Sequence, residues 1–509
     1  MIESRDLPPL PEGWVWTKVG ELIEPSNEKG DPTKLQEMAY IGLEHIEKNS
    51  GKLLRYGHSS DVRSTKTRFY TGDLLYGKLR PYLNKVHVAD FDGVCSTDIL
   101  VFSKTPFISN KYLLYRFLNA DFVRFASQNV SGVQHPRVNF KTLSKYVISL
   151  PPLPEQHRIV SKIEELFTKL DAGIVELKRV KAQLKRYRQS VLKYAFEGKL
   201  TEEWRVKHMG ELEPASILLE RIKEERKKNA KGKYKELPPV DTSELPELPE
   251  GWVFLTLDYL ASNEKNSIKR GPFGSAIRKE FFVPAGYKVY EQKNVIYNDF
   301  KRGDYFINEQ KFNELIDFEV KTGDVLMSCS GTVGKIAIVP KRIQQGIINQ
   351  ALLKISLDDE VISTPYFVYL FRSKIDEIIL KNTRGSAMVN ISSVKDLKQI
   401  PFPNPSKIEQ VKIVEEIERR FSVADAVENI VDQNLKQADR LRQSILKRAF
   451  EGKLVPQDPT DEPASVLLER IIAEKENRKK KMKPKPIKKT KRKRDLVQVQ
   501  KQTRFNNYV

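Results

Sequence analysis

The stretch Arg188-Gln189-Ser190-Val191-Leu192-Lys193-Tyr194-Ala195-Phe196-Glu197-Gly198-Lys199-Leu200 decides the reading of this chain, because it returns at Arg442–Leu454. The copies differ where Val191 becomes Ile445 and Tyr194 becomes Arg448. Working outward, Leu10-Pro11-Glu12-Gly13-Trp14 recurs as Leu248-Pro249-Glu250-Gly251-Trp252. Glu213-Pro214-Ala215-Ser216 reappears as Glu462-Pro463-Ala464-Ser465, again leading into a Leu-Leu-Glu-Arg helix. Weaker echoes are Thr71-Gly72-Asp73 against Thr322-Gly323-Asp324 and Val138-Asn139 against Val389-Asn390. The landmarks keep their order at an offset of about 240 to 255 residues, which is an internal duplication. Between them the two halves differ strongly.

Within each repeat a mixed domain precedes a long helix. Leu74–Tyr76, Val94–Phe102 and Tyr146–Leu150 read as strands, and so do Val325–Met327, Lys335–Val339 and Ala351–Ile355. Tyr112–Phe125 and Pro365–Leu380 read as helices beside them, and proline-rich exits (Pro151–Pro154, Pro401–Pro405) close each domain. After Pro154 the apolar residues Ile163, Leu170, Leu177, Leu184 and Val191 recur every seven, a coiled-coil seam. Leu166, Val180, Tyr187 and Tyr194 form a companion line three residues on, with Gly173 as its gap. The second helix carries Ile417, Ala424, Val431, Ala438 and Ile445, with Val427 and Leu441 as companions. Its alanines suit close approach of larger side chains from the first helix. About 40 residues at 1.5 Å each make a rod of roughly 60 Å. The seams differ and occur once each, so pairing within one chain is expected rather than dimerisation. The alternative is that each helix packs only on its own domain.

Length and charge agree with this. A chain of 509 residues exceeds one compact core. Its 88 Lys and Arg against 67 Asp and Glu leave a net charge of +21, the signature of a polyanion partner, commonly nucleic acid, with membrane headgroups as the competitor. No run approaches the roughly 20 apolar residues of a membrane span, and Met1–Leu10 lacks a signal-peptide layout. Cys95 and Cys329 lie in different halves, which disfavours a disulfide framework or a zinc site and fits a reducing cytoplasm.

Together, six segments make the chain resemble the specificity subunit of type I restriction-modification systems. They are Leu10–Trp14; the Gly-Asp turn with Gly77-Lys78-Leu79-Arg80-Pro81-Tyr82-Leu83-Asn84-Lys85; Pro152–Gln156; the Arg-Gln-Ser to Gly-Lys-Leu helix end; Gly271-Pro272-Phe273-Gly274-Ser275; and Ser328–Lys335. The resemblance spans about residues 8 to 475. One departure is Asn404-Pro405-Ser406-Lys407-Ile408-Glu409-Gln410, which reads as a helix entry padded by a few residues. The family implies an α+β fold. Two mixed target-recognition domains alternate with two long antiparallel coiled-coil helices in a pseudo-two-fold repeat. The expected boundaries are a first domain at 1–153, a central helix at 154–200, a linker with a short helix at 201–245, a second domain at 246–405, a distal helix at 406–455 and a tail at 456–509. It implies a non-catalytic subunit recognising an asymmetric bipartite site in double-stranded DNA. Its partners are adenine methyltransferase subunits and endonuclease-translocase subunits, which hold S-adenosylmethionine, ATP and magnesium. The helix seams are then an interface as well as a spacer.

For the first domain, Lys78, Arg80, Tyr82 and Lys85 suit phosphate positioning and an edge contact, the alternative being a solvated turn with a structural Pro-Tyr pair. Gln134, His135 and Arg137 follow in Ser131–Arg137, where Gln suits adenine and Arg suits guanine. His135 has no acidic or histidine neighbours in sequence, which argues against a metal. In the second domain the matching loop is read as Lys269–Ser275, with Lys269, Arg270 and Ser275 in it and Arg278 and Lys279 behind. Arg384 and Ser386 occupy the place of Gln134 to Arg137. Gly331-Thr332-Val333-Gly334-Lys335 lacks the first glycine of a phosphate loop and carries Ile336 where Ser or Thr would hold magnesium, so Thr332 and Lys335 are read as a DNA-facing turn. Arg478–Arg494 is almost all Lys and Arg, a disordered, salt-sensitive DNA contact, the alternatives being a solubilising tail or a ribosomal-type RNA grip. Two rival functions find less support. An enzyme would need a glycine-rich cofactor turn and an Asn/Asp-Pro-Pro-aromatic loop, or clustered carboxylates for magnesium, and none of these strings occurs. A coiled-coil scaffold leaves the duplicated mixed domains without a purpose.

Overall fold

A computed structural model describes residues 7–30, 38–228, 236–380 and 394–482. It divides into two compact units, one of residues 1–175 with 435–509 and one of 176–434, so the boundary falls inside both long helices.

The first unit opens with a two-stranded antiparallel ribbon, Val15–Lys18 against Val147–Leu150, with Val15 opposite Leu150. A three-stranded antiparallel sheet orders Val86–Val88, Leu74–Gly77 and Ile99–Phe102. A second sheet pairs Ala39–Ile41 in parallel with Gly93–Cys95. The second unit repeats the central part of this plan, although among the described residues its two larger sheets have four strands each where the first unit has five and three. Val253–Thr256 pairs Pro401–Asn404, Val325–Ser328 lies between Ile336–Ile338 and Leu352–Ile355, and Tyr287–Tyr290 runs parallel to Gly346–Ile348. Two expected elements are broken. The run Val94–Phe102 is two strands in different sheets, because Ser96-Thr97-Asp98 turns the chain between them. The expected helix Tyr112–Phe125 is Asn110–Leu118 followed by Ala120–Gln128, because Asn119 turns extended and its side chain caps the second helix through the Asp121 N–H. The shared Gly-Asp turn is a structural device. Gly72 and Gly323 sit at φ +91° and +87°. The Asp73 carboxylate accepts from the Tyr70 and Lys104 N–H groups, and Asp324 accepts from Lys321 N–H and the Ser356 hydroxyl.

Each long helix, Leu153–Phe196 and Lys407–Phe450, follows its ribbon strand after a link of two residues. The expected padding before the second helix is therefore absent, since Glu409 and Gln410 stand where Glu155 and Gln156 do. Gln156 donates to Pro151 O and accepts from Ser109 N–H; Gln410 donates to Pro405 O and accepts from Ser363 N–H. The start of each helix joins the core of the domain before it, while its end joins the other unit's core. Ile159, Ile163 and Phe167 cluster with Ile445, Leu446, Ala449 and Phe450, whereas Val191, Ala195 and Phe196 cluster with Ile413 and Ile417.

The seam residues Ile163, Val191, Ile417, Val431 and Ile445 are buried and Leu170, Leu177 and Leu184 are half-buried. The expected companion line holds only in part: Leu166, Val180 and Val427 are half-buried, but Tyr187, Tyr194 and Leu441 are 40%, 52% and 48% exposed. Four residues on from the seam come Phe167, Ile174, Lys181, Arg188 and Ala195 instead. Lys181 meets Asp432 at 2.7 Å, and Arg188 meets Asp425 at 2.5 Å and Glu428 at 2.9 Å. Seven residues forward on one helix match seven back on the other, so the helices run antiparallel within the second unit. In the first unit Arg442 pairs with Asp171, in the same register, while its guanidinium lies 4.4 Å from the Phe167 ring centroid. Such partly exposed pairs add little stability singly, but they discriminate against a slipped register.

The segments after the helices are clamped onto the ribbons. Gly198 turns at φ +70° against Pro249 and Gly452 at φ +69° against Pro11, where an added Cβ would meet the proline ring at 2.3 and 2.2 Å. Ala215 N–H donates to Gly251 O and Ala464 N–H to Gly13 O, starting the helices Ala215–Lys228 and Ala464–Met482. The Leu-Pro-Glu-Gly-Trp, Gly-Lys-Leu and Glu-Pro-Ala-Ser repeats are thus two sides of one joint. Residues 478–482 of the basic tail are helical rather than disordered; the rest of it lies outside the described residues, as do Val389 and Asn390.

Candidate DNA interface

In each unit the joint holds a buried carboxylate at the start of a long helix. Glu155 accepts from the Trp14 indole N–H at 2.9 Å and from Gln457 at 3.1 Å. Glu409 accepts from the Trp252 indole at 2.8 Å, the Thr201 hydroxyl at 2.8 Å and Arg205 Nε at 2.8 Å. Sequence reasoning missed these groups because their partners come from segments some 140 to 300 residues away. The joints differ in charge, since Gln457 stands where Arg205 does. Burial raises the Glu155 carboxyl above its ordinary 4.5. A raised acid gives stability that is full below the ordinary value and lost as pH rises through the raised one. Glu155→Gln is therefore expected to leave the first unit as stable or more stable at pH 7, while Glu409→Gln weakens the second. Hydrogen-exchange protection of the peptides holding Trp14 and Trp252 checks this; equal losses would contradict it.

Backbone hydrogen bonds in the first domain bring the two proposed loops together. Arg80 N–H donates to Pro136 O at 2.7 Å, Val138 N–H to Lys78 O at 3.1 Å, and Leu79 bridges Arg137. Arg80 sits at φ +51° before the short Pro81–Leu83 turn, with Pro81 buried and Tyr82 52% exposed. Arg80, Tyr82, Gln134 and His135 are exposed, Lys78 half so, and their side chains make no hydrogen bond or ion pair among the described residues. Two of the proposed cations are engaged. Lys85 donates to Leu43 O. Arg137 grips Asp98 through Nε and Nη2 at 3.0 and 3.3 Å, which holds the Asp98 carboxyl below its usual range. In this conformation Arg137 positions the loop.

In the second domain the strand order corrects the expected correspondence. The Lys78–Lys85 loop joins the centre strand of its sheet to one neighbour, and its counterpart is Ser328–Lys335 between Val325–Ser328 and Ile336–Ile338. A phosphate loop joins a strand to a helix, so this hairpin is not one. The Ser328 hydroxyl accepts from Lys335 N–H at 3.0 Å and donates to Thr332 O at 2.6 Å, leaving Thr332 and Lys335 exposed. Lys269-Arg270-Gly271 leaves a different strand, Ile268–Arg270. Gly271 is pressed so close to Asn349 that an added Cβ would lie 1.8 Å from its carbonyl oxygen. Lys269 bonds Asn266 and lies near Asp317, and Arg270 stacks under the exposed Phe273 ring at 5.0 Å. Ser275, Arg278 and Lys279 are exposed. Arg278 and Lys279 edge a hollow of about 210 Å³ with Glu291, Tyr305, Asn349 and Gln350. Arg384 and Ser386 lie outside the described residues.

No helix among the described residues is long and apolar enough to cross a membrane. Among the same residues no group of three or more His, Cys, Asp or Glu could hold a metal ion.

Comparisons with known proteins agree on one family. The type I restriction modification DNA specificity domain matches residues 11–180 and 249–436. The EcoDI specificity subunit of Escherichia coli is 35% identical over 44% of this chain, a match spanning 51% of that protein's length. The EcoBI specificity subunit, also from E. coli, is 27% identical over 72% of each chain. Among solved structures, the HsdS subunit from Thermoanaerobacter tengcongensis shares the fold at TM-score 0.52 and 19% identity, covering 88% of this chain and 99% of that one. A structure titled for complex assembly of the type I R-M system does so at TM-score 0.63 and 22% identity, covering 88% of this chain and all of that one. With matching frames in both halves and the family domain recognised twice, the chain belongs to the type I restriction-modification DNA specificity family.

Proposed function

We propose that this chain is the non-catalytic specificity subunit of a type I restriction-modification complex. Its first and second domains each read one part of an asymmetric bipartite site in double-stranded DNA. The paired helices fix the gap, and partner methyltransferase and endonuclease-translocase subunits carry out adenine methylation and cleavage. S-adenosylmethionine, ATP and magnesium belong to those partners. One observation carries the reading: two domains share a ribbon, a three-strand antiparallel core and a parallel strand pair, yet present different loops at one end of that core. In the first domain these are Lys78–Tyr82 and Ser131–Arg137, joined by backbone hydrogen bonds. In the second they are Gly271–Lys279 and Ser328–Lys335.

Exposed cations at both edges and a net charge of +21 favour DNA over a scaffold role. A mobility-shift titration of the full chain on random duplex, repeated across a salt series, tests this. Contacts to about five phosphates give a log–log slope of about −4.5. Absence of a shift, or a shift indifferent to salt, would support the scaffold instead.

A further inference from the structure

The turn Ser131–Arg137 carries an exposed side chain that the charged and polar candidates leave unexplained. Val133 is 99% exposed. The turn beneath it is fixed at several points. Ser131 and Arg137 exchange backbone hydrogen bonds at 2.8 and 2.9 Å, and Arg137 is held on Asp98. Val138 is buried and tied to Lys78, while Gly132 turns at φ +85°. Val133 is thus held away from the core by a braced hairpin, beside exposed Gln134 and in the same loop pair as Arg80 and Tyr82. A β-branched side chain has few rotamers to lose on binding. Since Arg137 is occupied, the exposed side chains left at the tip are one aliphatic group, one amide and one imidazole.

In the major groove an amide pairs with the adenine edge, and an aliphatic group packs on the methyl that only thymine presents. We infer that Val133 is a specificity residue that reads the 5-methyl group of a thymine in the part of the site bound by the first domain. This rests on the proposed function, since it needs that domain to face DNA bases.

The test uses the full chain with its methyltransferase partner and the motif found by methylation sequencing. Each thymine in the first-domain half-site is replaced singly by uracil, which removes the methyl alone. Competition binding then compares wild type with Val133→Ala, a change that removes no buried contact at a position 99% exposed. Wild type should lose about fourfold in affinity at one thymine, the worth of one buried methyl-sized group. Val133→Ala should be indifferent to the same replacement, binding both duplexes about as wild type binds the uracil one. Three outcomes overturn the inference: a half-site without thymine, no penalised thymine, or an equal penalty in both proteins. Failure to shift any duplex would instead count against the proposed function.

Discussion

Arg205→Ala should destabilise the second unit by about 3–5 kcal/mol, the typical result of stranding one member of a buried ion pair. The Glu409 side chain is 2% exposed and Arg205 11%. Without the guanidinium, Glu409 keeps only the neutral Thr201 and Trp252 donors. Arg205 also donates to Gly198 O and lies 5.5 Å from the Trp252 ring centroid, so its loss loosens the turn that ends the first long helix. Adding Glu409→Gln should recover a large part of the loss, because it removes the stranded charge. Denaturant unfolding followed by hydrogen exchange in each unit gives both numbers. A loss under about 1 kcal/mol would mean that the ion pair does not hold the joint.

The second expectation concerns the helices themselves. Removing residues 181–187 together with 426–432 takes one heptad from each helix and leaves Arg188 opposite Asp425. The rod shortens by about 10 Å, or roughly three base pairs at 3.4 Å each. The gap in the methylated motif should shrink by about that amount, with some loss of activity, while the bases on either side stay the same. Altered bases at an unchanged gap would mean that the helices take part in reading.

Much of this organisation is legible in the sequence, for reasons visible in particular residues. The duplicated motifs are readable because each half needs the same joint: a glycine against a proline ring, an indole on a carboxylate, and an alanine N–H on a glycine carbonyl. The seam is readable because Ile163, Val191, Ile417 and Ile445 must be buried. Its second line is not, because Lys181 and Arg188 fill it with charge, and only the opposite helix shows that Asp432, Asp425 and Glu428 await them. The pairing of Lys78–Tyr82 with Ser131–Arg137 depends on backbone hydrogen bonds across some 55 residues, which no local pattern records. The same holds for Arg137, whose guanidinium suits guanine in composition but faces Asp98 in the fold. The counterpart of the Lys78 loop is not legible in the glycines of Lys269–Ser275, because strand order decides it.

If unlike domains on one measured spacer direct the partners, single-molecule methylation sequencing of DNA from a host carrying this chain and its methyltransferase should find adenine methylation at one motif. That motif should be asymmetric, with two specified parts and a fixed run of unspecified bases between them. A palindromic motif, or a continuous one without a gap, would contradict the account.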